Sequence, residues 1–365
     1  MRIGDLCTYA PKSSIKAGDA VLDGKYIFFT SSADEGKRFN EYQLDCEGII
    51  MGTGGNATLH YYSGKFAVST DCIVLLPRND IRCKYLYYFF LANFAVLENG
   101  FKGAGLKHTN KKYIDSIELT TIPNLQNQDK VIEVLDKVSG VISFRQQQLQ
   151  KLDDLVKARF VEMFGIPFVN DKHWVTKCIG EVVTEVRYGT SRPAVEGGKY
   201  PYLRMNNLTN GGEIDLNNLK YIDIPDDEVE KCIVRKGDVL FNRTNSAELV
   251  GKTAMFDLDE EMIIAGYIIR VRLQSCLRPE ILSQYMNLKP VKELLHSMAK
   301  GAVNQANINA QELQSIEVYI PHIELQREFV AFKKQVDKSK FVESIHVLKL
   351  IKEAIAKEVS HDRIR

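Results

Sequence analysis

DSIELTTIPNLQNQ (residues 115–128) is matched later in the chain by QSIEVYIPHIELQ (residues 314–326). The aligned pairs share residue type and a separation of 198 or 199 residues: Ile117 with Ile316, Glu118 with Glu317, Pro123 with Pro321, and Gln128 with Gln326. A single shared tripeptide arises by chance. An ordered series at one separation indicates a tandem duplication.

Weaker matches extend the alignment toward the start of the chain. They keep their order and show a separation that grows from 176 to 198 residues: Ile3 with Ile179, Gly48 of GIIMG with Gly237 of GDVLF, and Gly103 of KGAG with Gly301 of KGAV. A separation that only grows is expected when the second of two diverged copies has gained loop residues. The sequence therefore predicts two related domains.

The composition is that of an ordinary globular protein. The chain has 365 residues, 45% hydrophobic and 26% charged, with a net charge of +1. This length favours two or three domains. The longest apolar stretch, residues 85–97, is too short to cross a bilayer, and the first residues contain no apolar signal core. We therefore expect a cytoplasmic protein without a membrane segment. If it binds nucleic acid, local basic loops or partner subunits must neutralise the phosphate charges, because the net charge of the chain is close to zero.

Neither the cysteines nor the histidines suggest a metal site. The seven cysteines are scattered and include no Cys-x-x-Cys pair, which favours free thiols. The seven histidines show no metal-ligand spacing and no triad arrangement. No metal and no cofactor is predicted for this chain.

Each copy has the same order of predicted elements. Short strands and glycine-rich turns come first, followed by a helical stretch at 85–97 and at 280–298. A loop centred on glycine, a strand (SIELTTI or SIEVYI), a proline and a long helical pattern complete each copy. This order predicts two tandem mixed α/β domains, each followed by a long helix.

The first long helix carries a narrow apolar stripe. Its positions alternate steps of four and three residues: Val131, Leu135, Val138, Ile142, Arg145, Leu149, Leu152, Val156, Arg159 and Met163. This spacing is typical of a coiled-coil seam, which Gly140 weakens because glycine costs about 1 kcal/mol relative to alanine in a helix. We expect the helix to end near Gly165 and Pro167.

The second long helix is predicted from about residue 323 to the end of the chain. Its stripe falls into two seams that are out of register: Leu325, Phe329, Phe332 and Val336, and then Phe341, Ile345, Leu348, Ile355 and Val359. Two striped helices in one chain favour packing against each other. The alternative is that each helix lies on its own domain.

Two glycine-rich segments resemble parts of nucleotide-binding motifs. Gly251-Lys252-Thr253 resembles the end of a P-loop, but Ser246 stands where the first glycine is needed and a strand pattern follows. MGTGGNATLH (residues 51–60) is not a dinucleotide fingerprint, and no helix pattern follows it. It is either a plain turn or a hairpin whose bare backbone allows a close approach.

Polar loops of one kind recur in both copies. They carry the side chains that contact base edges and phosphates in nucleic-acid complexes. In the first copy the candidates are Thr53, Asn56, Thr58, His60, Lys102, Lys107, His108 and Asn110. In the second copy they are Arg187, Tyr188, Thr190, Ser191, Arg192, Arg204, Asn206, Asn207, Arg243, Thr244, Asn245, Lys300, Gln305 and Asn307.

Taken together, these motifs resemble the specificity (S) subunit of type I restriction-modification systems. The resemblance is carried by VRYGTSRP, YPYLRMNNLT, KGDVLFNRTNSAELVGKTAMF and KGAVNQANINAQELQSIEVYIPHIELQREFV in the second copy, and by GIIMGTGG, FKGAGLKHTN and IELTTIPNLQNQ in the first. The family usually has Pro-Pro-Leu before a Glu-Gln pair. Here each copy has a single proline, and Asn127 and Leu325 replace the glutamate.

The resemblance implies an architecture and a set of partners. It implies target-recognition domains at 1–123 and 168–321, and spacer helices at 124–167 and 322–365 that pack as an antiparallel coiled coil. Each domain is expected to read one half of a bipartite site in double-stranded DNA. The helices are expected to dock two methyltransferase (M) subunits, with restriction (R) motor subunits in the full complex, so that the chain itself is not an enzyme.

Two other functions remain open from the residues alone. The chain is alternatively a DNA-binding protein without a methyltransferase partner. The other alternative is a stand-alone enzyme, either a nucleotide-hydrolysing protein that uses Gly251-Lys252-Thr253 or a small nuclease.

Overall fold

The computed structural model describes residues 1–34, 36–103, 105, 107–246, 248–299 and 306–340. The chain forms two compact units. Among the described residues, the first comprises those from 1 to 144 and the second those from 145 to 340. No helix in these described ranges is both long enough and apolar enough to cross a membrane.

The first unit contains a mixed sheet with short helices. Its strands are β1 (Cys7–Tyr9), β2 (Tyr26–Phe29), β3 (Arg38–Phe39), β4 (Leu44–Gly52), β5 (Leu59–Val68) and β6 (Cys72–Pro77). Its helices are α1 (Ile3–Leu6), α2 (Cys83–Ala92), α3 (Phe94–Glu98) and α4 (Lys111–Asp115), and α5 (Leu125–Phe164) begins in this unit and ends in the second.

The second unit has more and shorter strands. They are β7 (Val175–Cys178), β8 (Val183–Tyr188), β9 (Tyr200–Leu203), β10 (Lys220–Ile222), β11 (Ile233–Val234), β12 (Val239–Asn242), β13 (Thr244–Asn245), β14 (Thr253–Met255), β15 (Met262–Ile264), β16 (Ile268–Leu273), β17 (Ala306–Asn307) and β18 (Glu317–Ile320). The helices are α6 (Asp226–Cys232), α7 (Pro279–Met286), α8 (Lys289–Met298), α9 (Ala310–Gln314) and α10, of which residues 323–340 are described.

The sheets of the two units follow the same strand order. In the first unit the order is β1-β6-β4-β5-β2-β3. In the second unit the order β8-β16-β12-β14 forms one sheet, and β11-β15-β9-β10 forms another. The two sheets of the second unit together correspond to the single sheet of the first. They are separate because a turn at Gly237 (φ +95°) divides the counterpart of β4 into β11 and β12. Residues between β14 and β15 similarly interrupt the counterpart of β5.

The parallel strand pairs confirm the duplication. Within a largely antiparallel sheet, β2 pairs in parallel with β5, with Ile27 opposite Phe66. In the second unit β9 pairs in parallel with β15, with Tyr202 opposite Ile263. The same exceptional pairing at equivalent positions is the outcome expected of two copies of one mixed α/β domain.

The helical stretches predicted at 85–97 and 280–298 are present, and each consists of two consecutive helices with a break between them. The breaks lie at equivalent asparagines. The side-chain amide of Asn93 donates to the carbonyl of Phe89 at 2.9 Å, and the side-chain amide of Asn287 donates to the carbonyl of Ser283 at 2.8 Å. An asparagine amide that bonds a carbonyl of the preceding turn competes with helical hydrogen bonding. Pro290, which lacks an N–H group, reinforces the second break.

The repeated strand before the spacer helix forms fully only in the second copy. There β18 pairs with β7 from Glu317 to Ile320. In the first copy the predicted strand SIELTTI is reduced to a bridge between Arg2 and Glu118, with the amide of Leu119 bonded to the carbonyl of Met1 at 2.9 Å. In that copy Met1 and Arg2 occupy the position that Lys177 and Cys178 of β7 hold in the second.

The repeated glutamine is a buried tie between the spacer helix and its domain. Gln128 and Gln326 are both 0% exposed. The side-chain carbonyl of Gln128 accepts from the amide of Arg82 at 2.7 Å, and that of Gln326 accepts from the amide of Arg278 at 2.9 Å. The side-chain amide of each glutamine donates to the carbonyl of the proline five residues before it, at 2.8 Å.

This tie explains why the motif recurs. Arg82 and Arg278 are the N-cap residues of α2 and α7, whose first amides have no partner within their own helices. One glutamine side chain therefore satisfies a helix start and fixes the proline corner at which the long helix begins.

The seam of α5 is confirmed by its burial. Every seam position from Val131 to Met163 is buried or half-buried, and the helix ends at Phe164, followed by Gly165 at φ +85°. Leu325, Phe329, Phe332 and Val336 are likewise buried or half-buried and pack in the core that α5 enters. The predicted seam from Phe341 to Val359 lies outside the described residues.

Within the second unit the two long helices run antiparallel. Arg159 pairs with Glu328 at 3.0 Å, whereas Asp153, earlier on α5, pairs with Lys340, later on α10. The ring of Phe329 packs against the rings of Phe160 and Phe164, with centroid distances of 5.1 and 5.6 Å. The narrow stripes predicted that the two long helices pack against each other, and these ring contacts and ion pairs join them here.

In the first unit, α5 is tied to α2 by a carboxylate. Asp136 accepts hydrogen bonds from the ammonium of Lys84 at 2.7 Å and from the hydroxyl of Tyr88 at 2.6 Å. Burial by itself raises the pKa of Asp136, but the hydrogen bonds from Lys84 and Tyr88 outweigh it and hold the pKa below its usual value. The carboxylate therefore stabilises the folded state.

We expect Asp136→Asn to lower the stability of the first unit at neutral pH by about 1 kcal/mol, the upper range for a partly exposed pair. Because the folded pKa is depressed, this contribution is present above the unfolded pKa of about 4 and is lost as the pH falls through the folded value. Hydrogen exchange of the α5 amides near residue 136, at neutral and acidic pH, checks this. A difference between wild type and variant that persists at about pH 2 contradicts it.

Candidate nucleic-acid interface

In the first unit, the glycine-rich hairpin between β4 and β5 is joined to the loop before α4. The amide of Thr109 donates to the carbonyl of Thr53 at 3.0 Å, and the amide of Gly55 donates to the carbonyl of Lys107 at 2.9 Å. Gly54 and His108 form the bridge between these segments. Two predicted polar loops therefore form one surface.

Gly54 allows the two loops to touch. A Cβ atom at Gly54 would lie 3.2 Å from two atoms of the His108 ring, which is closer than ordinary contact. The bare backbone of the hairpin, expected to allow a close approach, here receives the imidazole of the neighbouring loop.

The second unit repeats this contact between a hairpin and a loop, which is called the joint from here on. The amide of Ile308 donates to the carbonyl of Arg243 at 2.8 Å, in the position of the bond between Thr109 and Thr53. The short strands β13 and β17 place Thr244 opposite Asn307, and the Thr244 hydroxyl donates to the side-chain carbonyl of Asn307 at 2.8 Å. Both units thus present a hairpin and a loop held together by equivalent backbone bonds.

The predicted residues of the first unit separate into exposed and buried groups. Those exposed at the joint or beside it are Asn56, Lys102, Lys107, His108 and Asn110, with Thr53 half-buried. Lys102 and Lys107 form no ion pair with the described residues. Asn110 caps α4 by accepting a hydrogen bond from the amide of Tyr113 at 3.0 Å.

Thr58 and His60 lie beneath that surface. Thr58 is 8% exposed, and its hydroxyl accepts from the amide of Gly52 at 3.0 Å. His60 is 6% exposed, and its ring lies 5.2 Å from the ring of Phe29. In this conformation both side chains support the hairpin from inside.

In the second unit, an arginine and a tyrosine lie at the centre of the joint. The guanidinium of Arg243 lies 4.9 Å from the centroid of the Tyr188 ring, and one of its terminal nitrogens donates to the carbonyl of Gly266 at 3.3 Å. The Tyr188 hydroxyl accepts from the amide of Ala310 at 2.9 Å. Arg243 is thus held in place by stacking and by backbone contacts while its side chain remains partly exposed.

The structure brings several predicted residues of the second unit to this joint. They are Tyr188, Thr190, Arg243, Thr244, Asn245 and Asn307. Thr190 and Thr244 are both 7% exposed, whereas Asn307 is exposed. Lys300 and Gln305 lie outside the described residues.

Among the other predicted residues of the second unit, two arginines form ion pairs within the fold. Arg187 pairs with Glu185 at 3.0 Å. Arg192 forms a bidentate pair with Glu228, and the hydrogen bond from Arg192 is the main cause that lowers the pKa of Glu228. Ser191 and Asn206 are exposed.

Arg204 and Asn207 hold a turn together. Asn207 is 1% exposed, accepts from the amide of Arg204 at 2.9 Å and donates to the carbonyl of Asp215 at 2.8 Å. A guanidinium nitrogen of Arg204 donates to the carbonyl of Asn218 at 3.2 Å. The amide group of Asn207 is therefore used within the fold.

One residue of the joint was not predicted from the sequence. Tyr267 is 49% exposed, and its carbonyl accepts from the amide of Arg243 at 2.9 Å. In the sequence it appears only as part of an apolar strand pattern, IIAGYIIRVRL. An exposed aromatic between two buried strands is the signal that identifies it.

The chemistry of these surfaces is that of recognition. Arginine, asparagine, lysine and histidine side chains supply hydrogen-bond donors and acceptors suited to base edges and phosphates. Across the described ranges there is no group of three or more His, Cys, Asp or Glu side chains that could hold a metal ion. Gly251-Lys252-Thr253 leads into the strand β14 and not into a helix, as predicted.

Sequence comparison gives a family match over most of the chain. The family described as "Type I restriction modification DNA specificity domain" matches residues 1–154 and 171–352. Among curated relatives, the EcoKI type I restriction enzyme specificity subunit of Escherichia coli is 24% identical over 251 residues, which cover 64% of this chain and 53% of that protein. The chain therefore spans about half of that relative.

A second relative aligns over nearly the whole chain. The MjaVIII type I restriction enzyme specificity subunit of Methanocaldococcus jannaschii is 21% identical over 364 residues, which cover 92% of this chain and 85% of that protein. The crystal structure of a type I restriction-modification S subunit from M. genitalium superposes with a TM-score of 0.52 at 14% identity, covering 98% of this chain and 93% of the other. This structural likeness concerns the fold.

Proposed function

Because the chain belongs to the family of type I restriction modification DNA specificity domains, we propose that it selects the DNA site of a type I restriction-modification complex. Each of its domains reads one half of a bipartite site in double-stranded DNA. The domains correspond to residues 1–123 and 168–321, with spacer helices at 124–167 and 322–365.

The recurrence of the hairpin-and-loop joint is the observation that carries this proposal. The bond from Thr109 to Thr53 and the bond from Ile308 to Arg243 occupy equivalent positions, yet the side chains around them differ. Equivalent backbones give two readers of the same geometry. Different side chains give each reader its own half-site, because base edges are distinguished by their pattern of donors and acceptors.

The base-reading groups that we propose are the exposed ones at each joint. In the first unit they are Asn56, Lys102, Lys107 and His108. In the second unit they are Arg243, Asn245 and Asn307, with Tyr188 positioning Arg243. The buried side chains of Thr58, His60 and Asn207 are assigned a supporting role.

The spacer helices are the docking site that we propose for the methyltransferase subunits. Along α5, the side chains of Val134, Val141, Phe144 and Leu155 are 39%, 41%, 58% and 47% exposed. Exposed apolar side chains in a row on a helix are suited to a protein partner. In this proposal two methyltransferase subunits bind the chain, methylation and cleavage are carried out by the methyltransferase and restriction subunits, and the chain itself is not an enzyme.

Selection of binding sites from a random DNA library tests the division of labour. We expect His108→Ala to relax base preference in one half of the selected site and Arg243→Ala to relax it in the other half. For Arg243→Ala the loss for the preferred sequence is about tenfold, because one bidentate base contact contributes roughly 1–3 kcal/mol of discrimination. The full chain is used, assembled with its methyltransferase subunit.

Matched controls lie at the opposite ends of the same strands. Lys65→Ala changes an exposed lysine far along β5 from the hairpin, and Lys236→Ala changes one before the start of β12. Both should leave the selected sequence unchanged. Selection of a single continuous half-site contradicts the bipartite reading, and specific binding by the chain without any methyltransferase favours a stand-alone DNA-binding protein.

A further inference from the structure

Lys292 on α8 is a half-buried lysine with no carboxylate partner among the described residues. Its ammonium donates one hydrogen bond, to the carbonyl of Gly251 at 2.7 Å. An ammonium has three donors, so two remain for another acceptor. Removing a charge from water without a counter-ion is costly, which makes this arrangement unusual for a purely structural group.

A second lysine lies close to it. Burial is the main cause that lowers the pKa of Lys292, to about 8, and the charge of Lys252 lowers it further. Lys252 is half-buried and forms no ion pair with the described part of the chain. Two neighbouring cations that share no carboxylate repel each other, and a bound anion removes that repulsion.

Lys252 belongs to the hairpin that carries Arg243, and Lys292 contacts the same hairpin from α8. The amide of Gly251 donates to the carbonyl of Asn242, and the amide of Asn242 donates to the carbonyl of Lys252, both at 2.8 Å. Lys252 therefore lies across the hairpin from the residue that precedes Arg243. Gly251 has φ +81°, and a Cβ atom there would lie 2.7 Å from Leu295, so α8 packs directly on this arm of the hairpin.

The backbone around Lys252 is fixed on both sides. The ammonium of Lys292 donates to the carbonyl of Gly251, and the side-chain amide of Asn287 donates to the carbonyl of Thr253 at 2.6 Å. A site fixed in this way loses little conformational entropy when it receives a ligand.

We propose that Lys252 and Lys292 together bind one backbone phosphate of the DNA, next to the bases that the Arg243 hairpin contacts. The inference rests on the proposed DNA-reading function and adds residues that the base-edge argument does not supply. Lysine binds phosphate as a point charge. Phosphate contacts set the position of a protein on the duplex, while base contacts specify the sequence.

The salt dependence of binding to random-sequence duplex DNA tests the site. The full chain, assembled with its methyltransferase subunit, is titrated from about 0.05 to 0.2 M salt. We expect the double variant Lys252→Gln/Lys292→Gln to lower the slope of log K against log salt by about 0.9, the value for one phosphate. Affinity at about 0.15 M salt should fall about fivefold, as that slope implies relative to 1 M.

Further variants separate binding from a structural role. Lys252→Gln by itself removes a side chain that forms no hydrogen bond within the described ranges, and it should reduce the slope without changing thermal stability. Lys252→Arg should keep the slope. The control, Lys289→Gln, removes a lysine of the same helix that is 88% exposed and lies 3.8 Å from Glu293, and it should leave the slope unchanged.

The outcomes distinguish a failure of the phosphate site from a failure of the proposed function. If the wild-type assembly does not bind duplex DNA, the proposed function itself fails. If the wild type binds and the double variant keeps the same slope, only the phosphate site fails, and Lys292 is an anchor for the Gly251 carbonyl. An equal slope change in Lys289→Gln also overturns the site, because it shows a general effect of charge.

Discussion

Phe329→Ala is expected to destabilise the second unit by about 3–5 kcal/mol, the usual cost of removing a fully buried phenylalanine. Phe329 is 0% exposed and packs edge-on against the rings of Phe160 and Phe164. Alanine leaves a cavity between α5 and α10 and removes both ring contacts. Because these helices pack together there, the substitution should also weaken the proposed docking site for the methyltransferase.

Urea unfolding followed by tryptophan fluorescence measures this effect. The chain has a single tryptophan, and the indole N–H of Trp174 donates to the carbonyl of Phe164 at 3.0 Å, so its emission reports on the end of α5. Phe329→Leu should cost less, since it leaves a smaller cavity. Lys334→Ala, an exposed change on the same helix, should stay within about 0.5 kcal/mol of wild type. A loss below about 1 kcal/mol for Phe329→Ala contradicts the packing argument.

Gln326→Ala is expected to have a comparable effect, although the side chain is polar. Its removal leaves the amide of Arg278 and the carbonyls of Cys276 and Pro321 without the hydrogen bonds that they now make at 2.9, 2.9 and 2.8 Å. Each buried unsatisfied group costs about 1–3 kcal/mol, so a loss of about 3 kcal/mol is expected. The fluorescence of Trp174 again reports the unfolding midpoint.

Gln326→Glu separates the hydrogen bonds from the volume of the side chain. At neutral pH the carboxylate faces two carbonyl oxygens and has no donor, so its folded pKa should rise above the unfolded value of about 4.3. The variant should therefore be less destabilised as the pH falls and the carboxyl group regains a donor. The exposed change Gln335→Ala is the control. If Gln326→Glu has the same relative stability at all pH values, the tie does not depend on donation by the side-chain amide.

Several features of this molecule could be predicted from the residues alone. The seam from Val131 to Met163 predicted a long helix that ends near Gly165, and α5 ends at Phe164. The spacing is decisive because local periodicity fixes which face of a helix is buried. The repeat predicted that both copies share one topology, whereas the strand order itself was seen only in the structure.

The breaks in the predicted helices show where local reasoning fails. The stretches at 85–97 and 280–298 have helical composition, but Asn93 and Asn287 bond to their own backbone and interrupt them. An asparagine tolerates a helix or ends it depending on which carbonyl its amide meets. That choice is made by the packing of the whole domain.

The duplication, the two mixed α/β domains, the long striped helix and the loops rich in polar side chains could all be predicted from the order of the residues. Which of those polar side chains face outward depends on the folding of the whole domain. Asn207 and His60 belong to the same polar loop types as Asn307 and His108, yet the first two are buried and the last two are exposed.

The hydrogen-bond partners of the two repeated glutamines were likewise visible only in the folded structure. The sequence repeat includes Gln128 and Gln326, but the backbone amides that donate to them belong to Arg82 and Arg278, which are distant in the sequence. The physical reason is that periodicity and turn chemistry act between neighbours in sequence. Exposure and hydrogen-bond partners depend on which distant segments fold against each residue, and a single sequence does not encode those contacts in any local pattern.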